Sequence, residues 1–136
     1  MTLETILPDG WPTPKGYSNG LLAPVGARLL FTGGMVAWNE REEMVGEGDF
    51  AAQFGQALRN VVAVVRTAGG EPSDLARLTI YVTDKQAYLG SLKQLGAVYR
   101  EVMGRHYPAM ALVQVAGLVE DGAMLEIEGT AAIGGS

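Results

Sequence analysis

Two carboxylates set two residues apart in the stretch LEIEG, residues 125–129, are the most pointed chemical feature of this chain. Period-two spacing in a strand puts Glu126 and Glu128 on one face and Leu125 and Ile127 on the other. A carboxylate on such a face can hold a water or relay a proton. At ~7 Å along a strand the two acids stand too far apart to share one proton directly. The competing structural reading is a sheet with one wet face, or an acid satisfied by backbone N–H groups, Arg28 or Arg77. Other reactive types are sparse. His106 is the single histidine; it lies between Arg105 and Tyr107 just ahead of a proline and reads as a loop residue rather than a base. With no cysteine and one histidine, thiol chemistry is excluded, and no donor set for a structural zinc site is available. The glycine pairs in TGGM and GGE lack the spacing of a phosphate-binding or dinucleotide-binding loop.

The elements that must position these acids follow from hydrophobic period. Leu21–Pro24 and Arg28–Thr32 read as short strands joined by a tight turn around Val25-Gly26-Ala27. Gly33-Gly34 interrupts the second strand and predicts a bulge, or a place where something approaches the backbone. NEREEMVGEG, residues 39–48, is a surface loop. Asp49 is an N-cap for a helix of about five turns carried by Phe50, Phe54, Leu58, Val61, Val62 and Val65 and stopped by Gly69-Gly70. Leu75–Thr83 alternates as a strand, with Leu78, Ile80 and Val82 on one face. Asp84 caps a second helix marked by Tyr88, Leu92, Leu95, Tyr99 and Val102 and closed by Gly104 and Pro108. Ala109–Val115 and Met124–Ile133 are strands separated by a turn at Glu120-Asp121-Gly122.

The order β-β-α-β-α-β-β implies one two-layer α+β domain over residues 1–136, with residues 1–15 as a lead-in and both helices on one face of a sheet. The other face is expected to carry Met110, Leu112 and Gln114 beside Met124, Glu126, Glu128 and Thr130. That is too apolar a face for water alone, and it points to a homo-oligomer packed through its sheets.

Composition narrows the classes. At 136 residues and 48% hydrophobic content the chain can build one core. No apolar run reaches the ~18 residues of a membrane span, and the start lacks a signal-peptide pattern, so a cytoplasmic protein without membrane contact is expected. The net charge of −5, with ten scattered basic residues, argues against nucleic-acid binding.

Several stretches together resemble the RidA/YjgF family of reactive-intermediate deaminases: GYSNG at 16–20, LLFTGGMV at 29–36, LTIYVTD at 78–84, HYPAMALVQVAGL at 106–118 and LEIEGTA at 125–131. The resemblance covers roughly residues 15–133. It implies a chorismate-mutase-like fold assembled as a trimeric barrel, a cleft at each subunit boundary, and cofactor-free hydrolysis of enamine and imine forms of 2-amino acids to a keto acid and ammonia. Carried over by position, Glu126 handles water and protons, Tyr17 orients the ligand, and the Gly33 and Gly34 backbone touches it. The chain departs from the family where Pro-Ala-Arg becomes Pro108-Ala109-Met110. The arginine there grips the substrate carboxylate, and losing such a partner costs ~2–5 kcal/mol. Gly33 replaces a serine, and the asparagine of the second helix has no clear counterpart near residues 91–93. The expectation is a small-molecule cleft with an apolar wall of Met110 and Leu112, altered in specificity, or else a ligand-binding or partner-docking trimer without turnover. Glu128 is assigned a structural role, and Arg105 is not a positional substitute for the missing cation.

Overall fold

The computed structural model of the chain describes residues 2–134. Its centre is a four-stranded sheet in the order β3-β6-β4-β5, formed by β3 (Arg28–Phe31), β4 (Leu75–Val82), β5 (Ala109–Gln114) and β6 (Leu125–Ile133). β6 runs antiparallel to both β3 and β4, and β4 runs parallel to β5. The last strand of the chain is therefore inserted between the first and second strands of the sheet. The chorismate-mutase-like α+β fold expected from the sequence is the fold observed.

Two helices cover one face. Asp49 caps α1 (Phe50–Thr67), its carboxylate accepting the Ala52 N–H at 3.1 Å. The Phe50, Phe54, Leu58, Val61 and Val65 stripe is buried against Leu75, Leu78, Leu125 and Ile127 of the sheet. A close approach at Gly129 lets α1 lie flat on β6. A Cβ there would come within 3.0 Å of Leu75 and 3.1 Å of Val61.

The second helix is divided. The short α2 (Lys85–Leu89), capped by Asp84, ends at Gly90, and α3 (Leu92–Met103) starts anew after Ser91. The apolar period runs through both pieces, which is why the sequence suggests one helix. Gly90 weakens the continuous ladder, and the Ser91 hydroxyl bonds back to the Ala87 carbonyl at 2.8 Å.

The expected hairpin between residues 21–24 and 28–32 does not form. β2 (Gly20–Leu22) pairs instead with β1 (Glu4–Ile6), a strand inside the lead-in, while β3 pairs with β6. The turn at Pro24–Ala27 is present, with the Ala27 N–H on the Pro24 carbonyl, but it passes the chain from one sheet to the other. Proline has no N–H to give a ladder, and β3 finds its partner in the long central strand. Just before β2 the chain is tied to the main sheet: Ser18 bridges Ala109 in parallel, its N–H on the Pro108 carbonyl at 3.0 Å and its hydroxyl on the Tyr107 carbonyl.

Candidate active site

Register decides where the acids point. Leu125, Ile127 and Gly129 face the helices, with Leu125 and Ile127 fully buried, so Glu126, Glu128 and Thr130 stand on the uncovered face. Cross-strand pairing puts Tyr81 beside Glu126, Thr79 beside Glu128 and Arg77 beside Thr130 on that face. The Tyr81 hydroxyl donates to Glu128 at 2.6 Å. This bond to a carboxylate raises the Tyr81 pKa above its usual 10.0, helped by burial and by the charges of Glu128 and Glu126. Glu128 is thereby held by the sheet itself. Glu126, half-buried, forms no side-chain hydrogen bond or ion pair among the described residues.

The expected bulge is opposite these acids. Phe31 pairs with Thr130 and Met35 pairs with Ile127, so a step of four on β3 faces a step of three on β6. One extra residue is taken up at Thr32-Gly33-Gly34. Thr32 and Met35 keep their ladder bonds, to the Gly129 and Ile127 carbonyls, whereas the Gly33 and Gly34 N–H groups bond nothing among the described residues. The Glu126 carboxylate packs on the Gly34 Cα so closely that an added Cβ would overlap its Oε2. An acceptor without a partner among the described residues thus sits on Gly34, in a notch at the sheet edge where the Gly33 and Gly34 amides are free.

Two residues of α1 that the sequence reading overlooked hold this notch from behind. Gln53 is fully buried and bonds both sides of the turn before β6: its Nε2 donates to the Gly122 carbonyl at 2.9 Å, and its Oε1 accepts the Met124 N–H at 2.9 Å. Asn60 donates to the Val36 and Trp38 carbonyls at 3.1 and 2.8 Å, just beyond the bulge. The one available signal was a pair of amides seven apart on the inner half of an apolar helix, where a polar group needs a partner.

Met110 and Leu112 do not stand where the sequence placed them. β5 is parallel to β4, with Met110 opposite Leu78, Leu112 opposite Ile80 and Gln114 opposite Val82. Directly paired residues share a face, so these three side chains lie on the helix side, and Ala109, Ala111 and Val113 take the uncovered one. The alternation was read correctly, but a parallel partner fixes its phase only when the pairing is known. Met110 and Leu112 form the floor of a groove of about 510 Å³ between β5 and α3, closed at one end by Tyr17. Tyr99 and Tyr107 stack in its wall, ring centroids 5.3 Å apart. Burial, with a smaller effect from Tyr107, pushes the Tyr99 hydroxyl far above the normal phenol range; it donates to the His106 carbonyl.

The predicted residues therefore form two groups within one chain. Glu126, Gly33 and Gly34 meet at the β3–β6 notch; Tyr17, Met110 and Leu112 meet in the β5–α3 groove, on the other face and beyond β4. Arg105 and His106 belong to neither core set. They line a recess under the β1–β2 hairpin, with Ile6, Asn19 and Asp74. His106 Nε2 donates to the Leu75 carbonyl at 2.6 Å, since that oxygen can only accept, which fits a structural histidine.

The family model described as Endoribonuclease L-PSP matches residues 12–133, which takes in both groups. The chain belongs to the RidA/YjgF family. Among RidA/YjgF relatives, 3-aminoacrylate deaminase RutC of Acinetobacter baylyi is 30% identical over 131 residues, covering 96% of this chain and 98% of the relative. The Rid-family protein YyfB of Yersinia pestis, a protein of unknown function, superposes with a TM-score of 0.85 at 32% identity, covering 98% of this chain and all of that one. TdcF of E. coli, solved with bound serine, superposes with a TM-score of 0.65 at 29% identity over 97% and 98% of the two chains. Members of the Rid family are thus similar to this chain over nearly its whole length. Among its described residues no helix is long and apolar enough to cross a membrane, and no group of three or more metal-ligating side chains comes together.

Proposed function

We propose that the chain is a Rid-type hydrolase that deaminates small imines or enamines, or acts on related carbonyl compounds, in clefts between three copies of itself. The observation that carries this reading is the Glu126 carboxylate seated on Gly34, without a partner, beside two free amide donors. The named activity of the RutC relative and the bound serine of TdcF support a small amino-acid-like ligand. The notch lies at the β3 side of the sheet and the groove at the β5 edge. A closed ring of three copies joined at these edges would set the notch of one copy beside the β5 edge of the next, with the groove opening behind that edge on the helix side.

In that cleft Glu126 takes a proton from a water, and the water oxygen attacks the C=N carbon. The electron pair of the C=N bond moves to nitrogen, giving a tetrahedral carbinolamine. Glu126 returns that proton to nitrogen and then carries the new hydroxyl's proton to nitrogen as well; the O–H electron pair closes the C=O bond, the C–N pair leaves with nitrogen, and ammonia departs from a carbonyl product. The Gly33 and Gly34 amides are suited to steady the oxygen as charge gathers on it. No cofactor enters this scheme. Met110 stands where a carboxylate-gripping arginine is expected, so specificity differs from that of arginine-bearing relatives.

Ammonia release from 2-iminopropionate tests this. Glu126→Ala is expected to lower kcat by roughly 10²–10⁴-fold, and Met110→Arg to raise kcat/KM on this carboxylate-bearing substrate. Wild-type turnover in Glu126→Ala would sink the proposal. The substitution at Met110 favours a second reading, a binding module of the same assembly. Stabilisation by keto acids or short aliphatic acids in a thermal-shift screen, without turnover of any imine, would select it.

A further inference from the structure

The groove that holds Met110 has a charge of its own. None of the residues lining it is acidic, and Lys15 and Arg100 both reach it, in a chain whose net charge is −5. Arg59 pairs with Glu101 at 3.2 Å and Arg66 with Glu71 at 3.5 Å, but neither Arg100 nor Lys15 forms an ion pair among the described residues. Leu92, Leu95, Gly96, Tyr99 and Arg100 follow the i, i+3, i+4 rule, so one face of α3 walls the groove from end to end. Gly96 leaves that wall thin, and the Arg100 guanidinium lies back across it, Nη1 being 3.5 Å from where a Gly96 Cβ would stand.

The two ends of the groove differ. β5 begins close after α3 ends, so Arg100, near the end of the helix, shares one end with Tyr107, Met110 and the Lys15–Tyr17 segment that Ser18 ties to Ala109. Leu92, Tyr88 and Leu112 line the other, apolar end. A cation pair at one end and an aromatic, aliphatic slot at the other match an organic carboxylate with a bulky apolar body. A volume of about 510 Å³ is within the usual range for small-ligand sites.

Building on the deaminase reading above, we infer that Arg100, assisted by Lys15, anchors the substrate carboxylate in place of the arginine replaced by Met110, and that the preferred substrate carries an aromatic or branched apolar side chain. Met110 then packs against that side chain instead of binding the acid. The α3 anchor approaches the groove from the helix wall rather than from its floor, which leaves the floor free for a larger body.

Calorimetric titration with 3-phenylpropanoate, its neutral amide 3-phenylpropanamide, and propanoate tests this. The wild type is expected to bind 3-phenylpropanoate about tenfold more tightly than either of the others. Arg100→Gln should bring the acid to within about threefold of the amide, the share left to Lys15, while leaving the amide unchanged. Lys15→Gln should weaken the acid by about threefold. Arg100 is exposed, and an unchanged thermal midpoint of Arg100→Gln, compared with wild type, verifies its fold. Equal acid affinity in wild type and Arg100→Gln would overturn the inference, as would propanoate binding as tightly as 3-phenylpropanoate. The two proposals fail separately. Arg100-dependent binding without Glu126-dependent ammonia release removes only the deaminase; the reverse removes only the anchor.

Discussion

At the scale of single residues, the contact between Glu126 and Gly34 carries the most weight. Gly34 has no positive φ, so alanine can adopt its backbone; only the carboxylate must move. Gly34→Ala is therefore expected to cut kcat by about 10²-fold, since a displacement of this order at a reacting group has that effect. It should cost no more than about 1 kcal/mol of stability, because the clash is with the end of a side chain. Paired kinetic and thermal measurements on one preparation would check this, and a stability loss larger than the activity loss would contradict it. The tyrosines give a second expectation. Tyr81 and Tyr99 both hold their protons more tightly folded than unfolded. Their contribution to stability is complete below the unfolded value of 10.0 and is lost as pH rises through the folded values. In an ultraviolet titration of the five tyrosines, Tyr81→Phe and Tyr99→Phe should each remove a late-titrating phenol, and the denaturant midpoint should fall above pH ~10. The outward placement of Glu126 could be read from alternation alone, since one residue in two of β6 must turn away from the helices. The free state of its carboxylate could not, because the bulge that brings Gly34 under it arises from pairing between segments about ninety residues apart.

At the scale of elements, α1 is more than a cover for the sheet. Through Gln53 it fixes where β6 starts, and so which residues of β6 face outward. Gln53→Leu would leave the Met124 N–H and the Gly122 carbonyl without partners in the interior, at a cost of about 1–3 kcal/mol for each group left unsatisfied. Chemical denaturation should show that loss, with turnover falling as β6 loosens; a neutral result would mean that the turn is held by something else. The helices were legible because their caps and apolar periods are local properties: Asp49 and Asp84 mark their starts without reference to the rest of the chain. The division of the second helix and the pairing of β2 with β1 were not. In both cases the local pattern is compatible with two outcomes, and tertiary partners choose between them. The misplacement of Met110 and Leu112 has the same origin, since a short apolar strand gives its two faces but not which of them meets the helices.

At the scale of the whole molecule, the uncovered face and the β3 edge are where the proposed assembly would form. Leu29 and Phe31 on β3 are 59% and 69% exposed and would be covered by a neighbour joining at that edge. Light scattering during gel filtration is expected to give three times the 14.4 kDa chain mass, and Phe31→Glu to shift it toward the monomer with loss of turnover. A monomeric wild type with full activity would rule out the shared cleft. Assembly through sheet edges raises a further question, which is why it should stop. A strand with free N–H and C=O groups along its full length invites chain after chain to add. Ser18 answers part of it. By occupying the outer side of β5 at Ala109, it takes the first rung of the free ladder and leaves only the later residues of the strand open. A neighbour can then join only at a staggered register, and a fixed stagger favours a closed ring over an endless ribbon. Loosening that one stitch, by replacing Ser18 with proline, would be expected to yield fibrous or polydisperse material.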